Sequence, residues 1–222
     1  MQRMFVKGLT IAVALSPAVA WTQSGNPPKA ATYITAEEVQ TVNKQPGVDR
    51  TIRVVDIGDQ NFAVGMIHRG STGAARGAGA AGAQAGAGGA RGGGQPQGDP
   101  CGEQASGAPP SGLASGIYHE KQTEGYLITS GSGTMVTGGH IINGRKSPAN
   151  AEVTTTLNGP SCSGLIGGSD VVKRPVKEGD IVIIPAGVPH GWSEIPDHVD
   201  YLSFRPSDHI LTPGYVHPSI KK

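Results

Sequence analysis

The chain has 222 residues, a formal net charge of +1 at neutral pH and a charged fraction of 16%. This balance gives no electrostatic basis for nucleic-acid binding, which needs a strongly basic surface. The length suits one domain with a substantial core, and 35 glycines and 17 prolines against 3 phenylalanines indicate a chain rich in turns.

The N-terminus has the three parts of a secretory signal peptide. Arg3 and Lys7 supply positive charge, residues 9–15 form an apolar stretch, and small residues follow at 18–20. The apolar stretch is too short to cross a bilayer by itself. An uncleaved membrane anchor and an ordinary buried helix are the alternatives. We expect a signal peptide at residues 1–20, a periplasmic or secreted mature protein, and no membrane span after cleavage.

One helix and many strands follow in chain order. Thr35 and Glu38 have the spacing of a capping box, which predicts a helix that ends near Lys44. Apolar and β-branched runs between turn residues predict short strands. The predicted strands are residues 51–57, 62–68, 115–120, 124–129, 134–137, 152–157, 171–176, 180–184 and 199–204, with turns at 130–133, 138–139 and 178–180. This succession indicates an all-β sandwich or barrel.

Residues 70–112 form a low-complexity block, in which 15 of 43 residues are glycine and 11 are alanine. The block has too little apolar surface to offset its ordering entropy, so we predict a flexible insertion. A phosphate-binding glycine loop does not fit, because no Gly-Lys-Ser/Thr sequence ends the block. In an exported protein Cys101 and Cys162 could form one disulfide, with two free thiols as the alternative.

Two segments place metal-ligating side chains on predicted strands. His119 lies near the end of one strand, Glu124 opens the next, and His190 follows a stiff proline-rich turn after a later strand. Because side chains alternate along a strand, Ile117 shares the face of His119. Two imidazoles and one carboxylate suit a divalent transition metal with open coordination positions. Tyr126 could supply a proton or a hydrogen bond there, with a core position as the alternative.

These motifs resemble those of the cupin superfamily. The first cupin motif matches in its later part at His119, Glu124 and Gly131. The second cupin motif matches at Gly179, Pro185, Gly187 and His190. The family's first histidine falls at Ile117, so the resemblance implies only three of the usual four ligands.

The resemblance implies a cupin-type jelly-roll β-barrel. Its core with both motifs would occupy residues 113–205, after a helix and the first strands at 21–69 and before a tail at 206–222. The implied cofactor is one divalent transition metal: iron, manganese, zinc or copper. A barrel that has lost its metal and keeps only the fold is the alternative.

The expected function is that of a secreted metal-dependent oxygenase, isomerase or lyase acting on a small molecule. A non-enzymatic module that binds a small ligand or a carbohydrate is the alternative. A small-molecule ligand is the expected partner, with a homodimer as a possible assembly and no nucleic acid. A Ser–His–Asp hydrolase lacks the Gly-x-Ser-x-Gly signal. Surface positions are expected for the remaining histidines: His68, His140, His198, His209 and His217.

Overall fold

The computed structural model describes residues 29–72 and 98–221. The predicted signal peptide, residues 1–20, lies outside these ranges, as do residues 73–97 of the predicted insertion. The described part consists of antiparallel strands with one short α-helix and one π-helical turn, which confirms the predicted all-β class. No helix within it is long and apolar enough to cross a membrane.

The leading helix, α1, spans Ala36–Asn43. The hydroxyl of Thr35 accepts a hydrogen bond from the Glu38 N–H at 3.2 Å, and the Glu38 carboxylate accepts one from the Thr35 N–H at 3.0 Å. The predicted capping box is therefore confirmed, and it satisfies two backbone donors at the start of the helix. Val42 is fully buried and packs the helix against Ile52 of the first strand.

Eleven strands make up the rest of the described chain. They are β1 (Asp49–Asp56), β2 (Asn61–Gly70), β3 (Pro100–Cys101), β4 (Ser115–His119), β5 (Glu124–Thr137), β6 (His140–Lys146), β7 (Ser161–Gly167), β8 (Val172–Lys177), β9 (Ile181–Ile184), β10 (His190–Glu194) and β11 (His198–Ser207). The π-helical turn, Val153–Leu157, lies between β6 and β7. Neighbouring strands follow the order β1-β2-β11-β5-β10-β4-β7-β6-β3, and β8 and β9 also pair with β5.

Strand β5 belongs to two sheets. Its first half pairs with β11 and β9, and its second half pairs with β10 and β8. Side chains of both sheets share one buried cluster, which includes Ile67 and Tyr201 from the first sheet and Met135 and Trp192 from the second. The two sheets therefore enclose a common core, and the predicted cupin-type jelly-roll barrel is confirmed.

The turn predicted at residues 130–133 is wrong, because β5 runs through this segment. Gly131 has a φ of +72°, and a Cβ there would lie 2.1 Å from the carbonyl oxygen of His198. Glycine accepts both this backbone conformation and the close approach of β11. The glycine signal thus marks the point where one strand passes from the first sheet to the second.

The strand predicted at residues 152–157 is also wrong, because most of this segment forms the π-helical turn. Its threonines are β-branched and favour a strand by propensity. In the structure the hydroxyl of Thr156 instead donates to the carbonyl oxygen of Glu152 at 2.9 Å. Such side-chain bonds to a preceding carbonyl compete with strand pairing.

Strands β6 and β7 were not predicted. Each contains a glycine in its interior, Gly144 in β6 and Gly164 in β7, and such glycines usually indicate turns. Here a Cβ on Gly144 would lie 2.7 Å from the carbonyl oxygen of Cys101 in β3, and a Cβ on Gly164 would lie 2.6 Å from Cγ2 of Ile141 in β6. The glycines therefore serve close packing between neighbouring strands rather than a reversal of the chain.

The C-terminal segment lies along β1. The N–H of Gly214 donates to the carbonyl of Val54 at 2.9 Å, and the N–H of Val54 donates to the carbonyl of Tyr215 at 3.0 Å. Leu211 is buried beside Val54 and Ala63. Part of the tail expected at residues 206–222 is thus packed against the barrel.

Cys101 and Cys162 form a disulfide with Cα atoms 6.1 Å apart. The bridge joins β3 to β7 across β6, and both cysteines belong to a buried cluster with Val136 and Ile141. Residues 98–112 of the predicted insertion are therefore attached to the barrel at β3. The flexibility of residues 73–97 stays a prediction.

Replacing both cysteines by alanine should lower the free energy of unfolding by about 4 kcal/mol, because the bridge closes a long loop with a sequence separation of 61 and restricts the unfolded chain. Urea unfolding of wild type and double variant measures the difference. As a control, a reductant should shift the wild-type midpoint to that of the variant and leave the variant unchanged. Equal midpoints for the variant and the oxidised wild type would contradict the prediction.

Candidate metal centre

Strand pairing brings the three predicted ligands together. His119 ends β4 and His190 opens β10, and these strands pair with His190 opposite Ile117. Glu124 opens β5, which pairs with the other side of β10. All three side chains point into the barrel, and the exposed fractions are 3% for His119, 1% for Glu124 and 4% for His190.

The ligand atoms have the spacing that a metal ion requires. Nε2 of His119 lies 3.3 Å from Oε2 of Glu124, and Nε2 of His190 lies 3.0 Å from the same oxygen. With metal–ligand bonds of about 2.1 Å, neighbouring ligand atoms lie about 3.0 Å apart at a right angle and about 3.4 Å apart in a tetrahedron. The three residues form a group that could hold a metal ion.

Both imidazoles are oriented by backbone carbonyls. Nδ1 of His119 lies 2.9 Å from the carbonyl oxygen of Asn158, and Nδ1 of His190 lies 3.0 Å from that of Val188. A carbonyl can only accept, so each Nδ1 carries the proton. In the neutral rings both Nε2 atoms then present a lone pair toward Glu124. Metal-binding histidines are held in this way.

The chain before His190 is a fixed turn. Gly187 has a φ of +81°, which glycine adopts without strain, and its N–H donates to the carbonyl of His119 at 2.7 Å. The N–H of Val188 donates to the carbonyl of Pro185 at 3.2 Å. The segment that matches the second cupin motif is thus bonded directly to the residue that ends β4, which fixes the two histidines relative to each other.

The carboxylate of Glu124 is shared between the histidines and a buried arginine. Its Oε1 accepts hydrogen bonds from Nε of Arg205 at 2.5 Å and from the hydroxyl of Ser203 at 3.2 Å. Arg205 also donates to Oδ2 of Asp49 at 2.5 Å. Burial by itself would raise the pKa of Glu124, but the charge of Arg205 holds that pKa well below its usual range. Glu124 is therefore ionised, with Oε2 directed at the histidines.

Tyr126 lies next to the proposed ligands. Its hydroxyl donates to Oε2 of Glu124 at 2.6 Å, and its ring packs on Tyr201 with the centroids 4.4 Å apart. Burial and the negative charge of Glu124 raise the pKa of Tyr126 well above its usual value. The tyrosine therefore keeps its proton. A catalytic role for Tyr126 stays a prediction, and its position fits a hydrogen-bond donor.

The three ligands face a small pocket of about 20 Å³, against roughly 10–15 Å³ for one water molecule. Ile117 lines this pocket and is 8% exposed. An apolar side chain thus takes the position where the cupin family has its first histidine. Other ionisable and polar residues that line the pocket include Asp49, Arg69, Ser115, Asn158, Tyr201 and Arg205.

The histidines outside the motifs do not line this pocket. His68, for example, is half exposed and lies 2.5 Å from Asp200. His198 bridges Ser130 and Asp197, with both hydrogen bonds at 2.7 Å. The carboxylate of Asp197 is 90% exposed, so water competes for it. This Ser–His–Asp chain is a solvated surface feature, in line with the missing hydrolase motif.

Several pocket residues were not identified from the sequence, and Arg205 is the most important of them. A signal for it exists in β11, where buried and partly exposed residues alternate along the strand. Val199, Tyr201 and Ser203 occupy the buried positions, and Arg205 continues the series. A charged residue at an inward position of a strand indicates a buried partner of opposite charge. Asp49, Arg69 and Asn158 carry no comparable local signal.

No protein-family model matches the chain, and no curated protein matches it. Among solved structures, a protein from Bacillus halodurans has 13% identity, with 86% of this chain and 92% of that chain covered and a TM-score of 0.38. A protein with a double-stranded β-helix domain from Klebsiella pneumoniae has 14% identity, coverages of 81% and 94% and a TM-score of 0.35. A CENP-C domain from Drosophila melanogaster has 10% identity, coverages of 82% and 87% and a TM-score of 0.28. These likenesses concern the fold alone.

Fold and site together define the class of this protein. Two antiparallel sheets share β5 and enclose one core, and His119, Glu124 and His190 of the cupin motifs converge inside the barrel. The chain is a cupin-type barrel with a buried His–Glu–His group that could hold a metal.

Replacing Glu124 by glutamine should lower the unfolding free energy of the metal-free protein at neutral pH by about 3 kcal/mol, because the change breaks a buried ion pair with Arg205. The pKa of Glu124 is lower in the folded than in the unfolded protein. Its contribution is therefore present above the unfolded value of about 4.3 and is lost as pH falls through the folded value. Wild type and variant should thus converge in acid.

Urea unfolding in the presence of a chelator, repeated across a pH series, measures this convergence. Glu120→Gln is the matched control, because Glu120 forms a partly exposed ion pair with Lys146 at 3.4 Å. Its effect should stay below about 1 kcal/mol. If the unfolding free energies of wild type and Glu124→Gln differ by the same amount from neutral to strongly acid pH, Glu124 is not ionised in the folded protein.

Proposed function

We propose that this protein holds one divalent transition metal through Nε2 of His119, Nε2 of His190 and Oε2 of Glu124. The orientation of the rings is the observation that supports this most. Both Nδ1 atoms are engaged by carbonyls, so both Nε2 lone pairs face one ionised oxygen. Without a cation between them these lone pairs repel, unless both buried imidazoles are protonated. A metal ion resolves the conflict directly.

The residues present fit such an ion. Iron, manganese, zinc and copper all accept imidazole and carboxylate ligands, and a three-ligand set keeps coordination positions open. The ion would supply Lewis-acid activation of a bound small molecule. Arg205 keeps Glu124 ionised, and Ile117 keeps one side of the group apolar. Tyr126 holds a proton at its hydroxyl, within hydrogen-bond distance of Oε2.

The size of the pocket supports chemistry on a small molecule. Its volume of about 20 Å³ is far below the roughly 300 Å³ at the lower end of ligand clefts. A sugar ring does not fit such a space, which counts against the carbohydrate-binding alternative. We therefore place a metal-dependent oxygenase, isomerase or lyase with a substrate of few atoms ahead of a carbohydrate-binding module.

We further propose that the protein works outside the cytoplasm. The signal-like sequence at residues 1–20 supports this. The disulfide between Cys101 and Cys162 adds independent support, because disulfides persist in oxidising compartments. Fractionation of cells that express the full chain, with detection of a cleaved form in the periplasm or medium, tests this proposal.

Metal analysis by mass spectrometry on protein exported without a histidine tag tests the metal site. We expect one divalent metal per chain. The His190→Ala variant should lose most of its bound metal, because only two ligands remain. Its β-rich circular dichroism spectrum should be retained, because the barrel is otherwise intact. His68→Ala is the matched control, since this exposed histidine pairs with Asp200 outside the pocket. Full metal content in a variant with all three ligands replaced by alanine would overturn the proposal.

The substitution Ile117→His tests whether position 117 faces the metal, where the cupin family has a fourth ligand. Ile117 lies opposite His190 in the β4–β10 pairing and lines the pocket, so an imidazole there should replace a bound water and raise metal affinity by roughly tenfold, or ~1.4 kcal/mol. Competition with a chelator measures the affinity. Ile117→Val is the control and should leave it unchanged. A folded Ile117→His protein with wild-type affinity would show that this position does not face the metal.

A further inference from the structure

Arg69, near the end of β2, lines the same pocket as the proposed ligands. Its Nε donates to the hydroxyl of Tyr201 at 3.0 Å, which orients the guanidinium group. Within residues 29–72 and 98–221 its two amino groups have no hydrogen-bond or ion-pair partner. The planar fork of an arginine matches a carboxylate through two parallel hydrogen bonds. Arg69 thus has two amino groups available to a ligand at the pocket.

The charges of the pocket point to an anionic ligand as well. Asp49 and Glu124 bring two carboxylates to the pocket and Arg69 and Arg205 bring two guanidinium groups, so these four side chains balance one another. A divalent ion would add two positive charges in a buried space, where unbalanced charge is unfavourable. An anion on an open coordination position would offset part of this excess.

Asn158 adds a further unpaired polar group. The residue lines the pocket and is 3% exposed, and its side-chain Oδ1 is buried without a hydrogen-bond partner in the described part of the chain. Its backbone carbonyl accepts from His119, so the amide lies beside one of the proposed ligands. Because Oδ1 only accepts, the missing partner is a hydrogen-bond donor such as a bound water molecule, and a carboxylate in the pocket would be held by Arg69 and not by Asn158.

We propose that the pocket binds a small carboxylate, held by the amino groups of Arg69 beside the metal. This inference rests on the proposed metal site and names the class of its ligand. The planar fork of Arg69 matches the two oxygens of a carboxylate, and the smallest carboxylates, formate and acetate, are the ligands to test in a pocket of about 20 Å³. Arg205 is not available for this role, because both of its carboxylate partners already occupy it.

Cobalt(II) can report both binding steps in one sample. Full-length untagged protein is freed of metal with a chelator and titrated with Co²⁺, whose visible absorption depends on the number and kind of its ligands. Sodium acetate is then added at constant ionic strength, with sodium chloride and sodium phosphate as comparison anions. We expect acetate to change the Co²⁺ spectrum until the change saturates, at concentrations where chloride has no effect.

Arg69→Gln should form the same Co²⁺ spectrum but bind acetate roughly tenfold more weakly, because charge-assisted hydrogen bonds are lost. Tyr201→Phe removes only the hydroxyl that orients the guanidinium, and should weaken acetate binding in the same direction. Arg174→Gln is the matched control, because Arg174 is exposed on β8 and does not line the pocket. It should leave both binding steps unchanged.

The outcomes separate this inference from the proposed function. A wild-type protein that forms no Co²⁺ spectrum overturns the metal site and the carboxylate with it. A Co²⁺ spectrum that acetate does not change overturns the carboxylate alone. Equal acetate affinity in wild type and both pocket variants shows that Arg69 is not the anchor. If phosphate saturates the spectral change at lower concentrations than acetate does, the proposed carboxylate ligand is wrong and the pocket prefers a different class of anion.

Discussion

The buried guanidinium of Arg205 is the contact on which barrel and site both depend. From β11 it bonds Glu124 at the start of β5 and Asp49 at the start of β1, so three strands of one sheet meet at one cation. Burial opposes the charged form of Arg205, but the two carboxylates raise its pKa above the usual value. Removing any one of the three leaves a buried charge without its partner, which is strongly destabilising.

This arrangement also sets the properties of Glu124 as a candidate metal ligand. Arg205 engages Oε1, so only Oε2 is free to face the imidazoles. A metal would then bind the carboxylate through one oxygen, whose negative charge is reduced by the arginine and by the hydroxyl of Tyr126. Asp49 weakens the influence of Arg205 on Glu124, because the negative charge of Asp49 offsets part of the positive charge of the arginine. Residues that never touch the metal would thus tune its affinity and reactivity.

The residues found from the sequence are those whose signal is local. His119 and Glu124 lie five positions apart on adjoining strands, and the turn before His190 has its own pattern of proline and glycine. The capping box of α1 is equally local. Arg205 meets Glu124 across 81 positions and Asp49 across 156 positions, and only the strand order decides that pairing. The errors at residues 130–133 and 152–157 have a related cause, because glycine and threonine were interpreted by local propensity where packing and hydrogen bonding decide.

The C-terminal segment along β1 affects how copies of this protein can associate. β1 stands at one end of the strand order, and the outer edge of such a strand normally offers free N–H and C=O groups to a strand of another molecule. Here the backbone of Gly214, Tyr215 and His217 forms hydrogen bonds with these groups of Val54 and Ile52. The chain thus shields this edge with its own backbone, and a neighbouring copy cannot extend the sheet there. Truncation before residue 214 would expose the unpaired backbone groups of β1 and allow copies of the chain to aggregate edge to edge into fibres. The residues of the pocket would be unchanged.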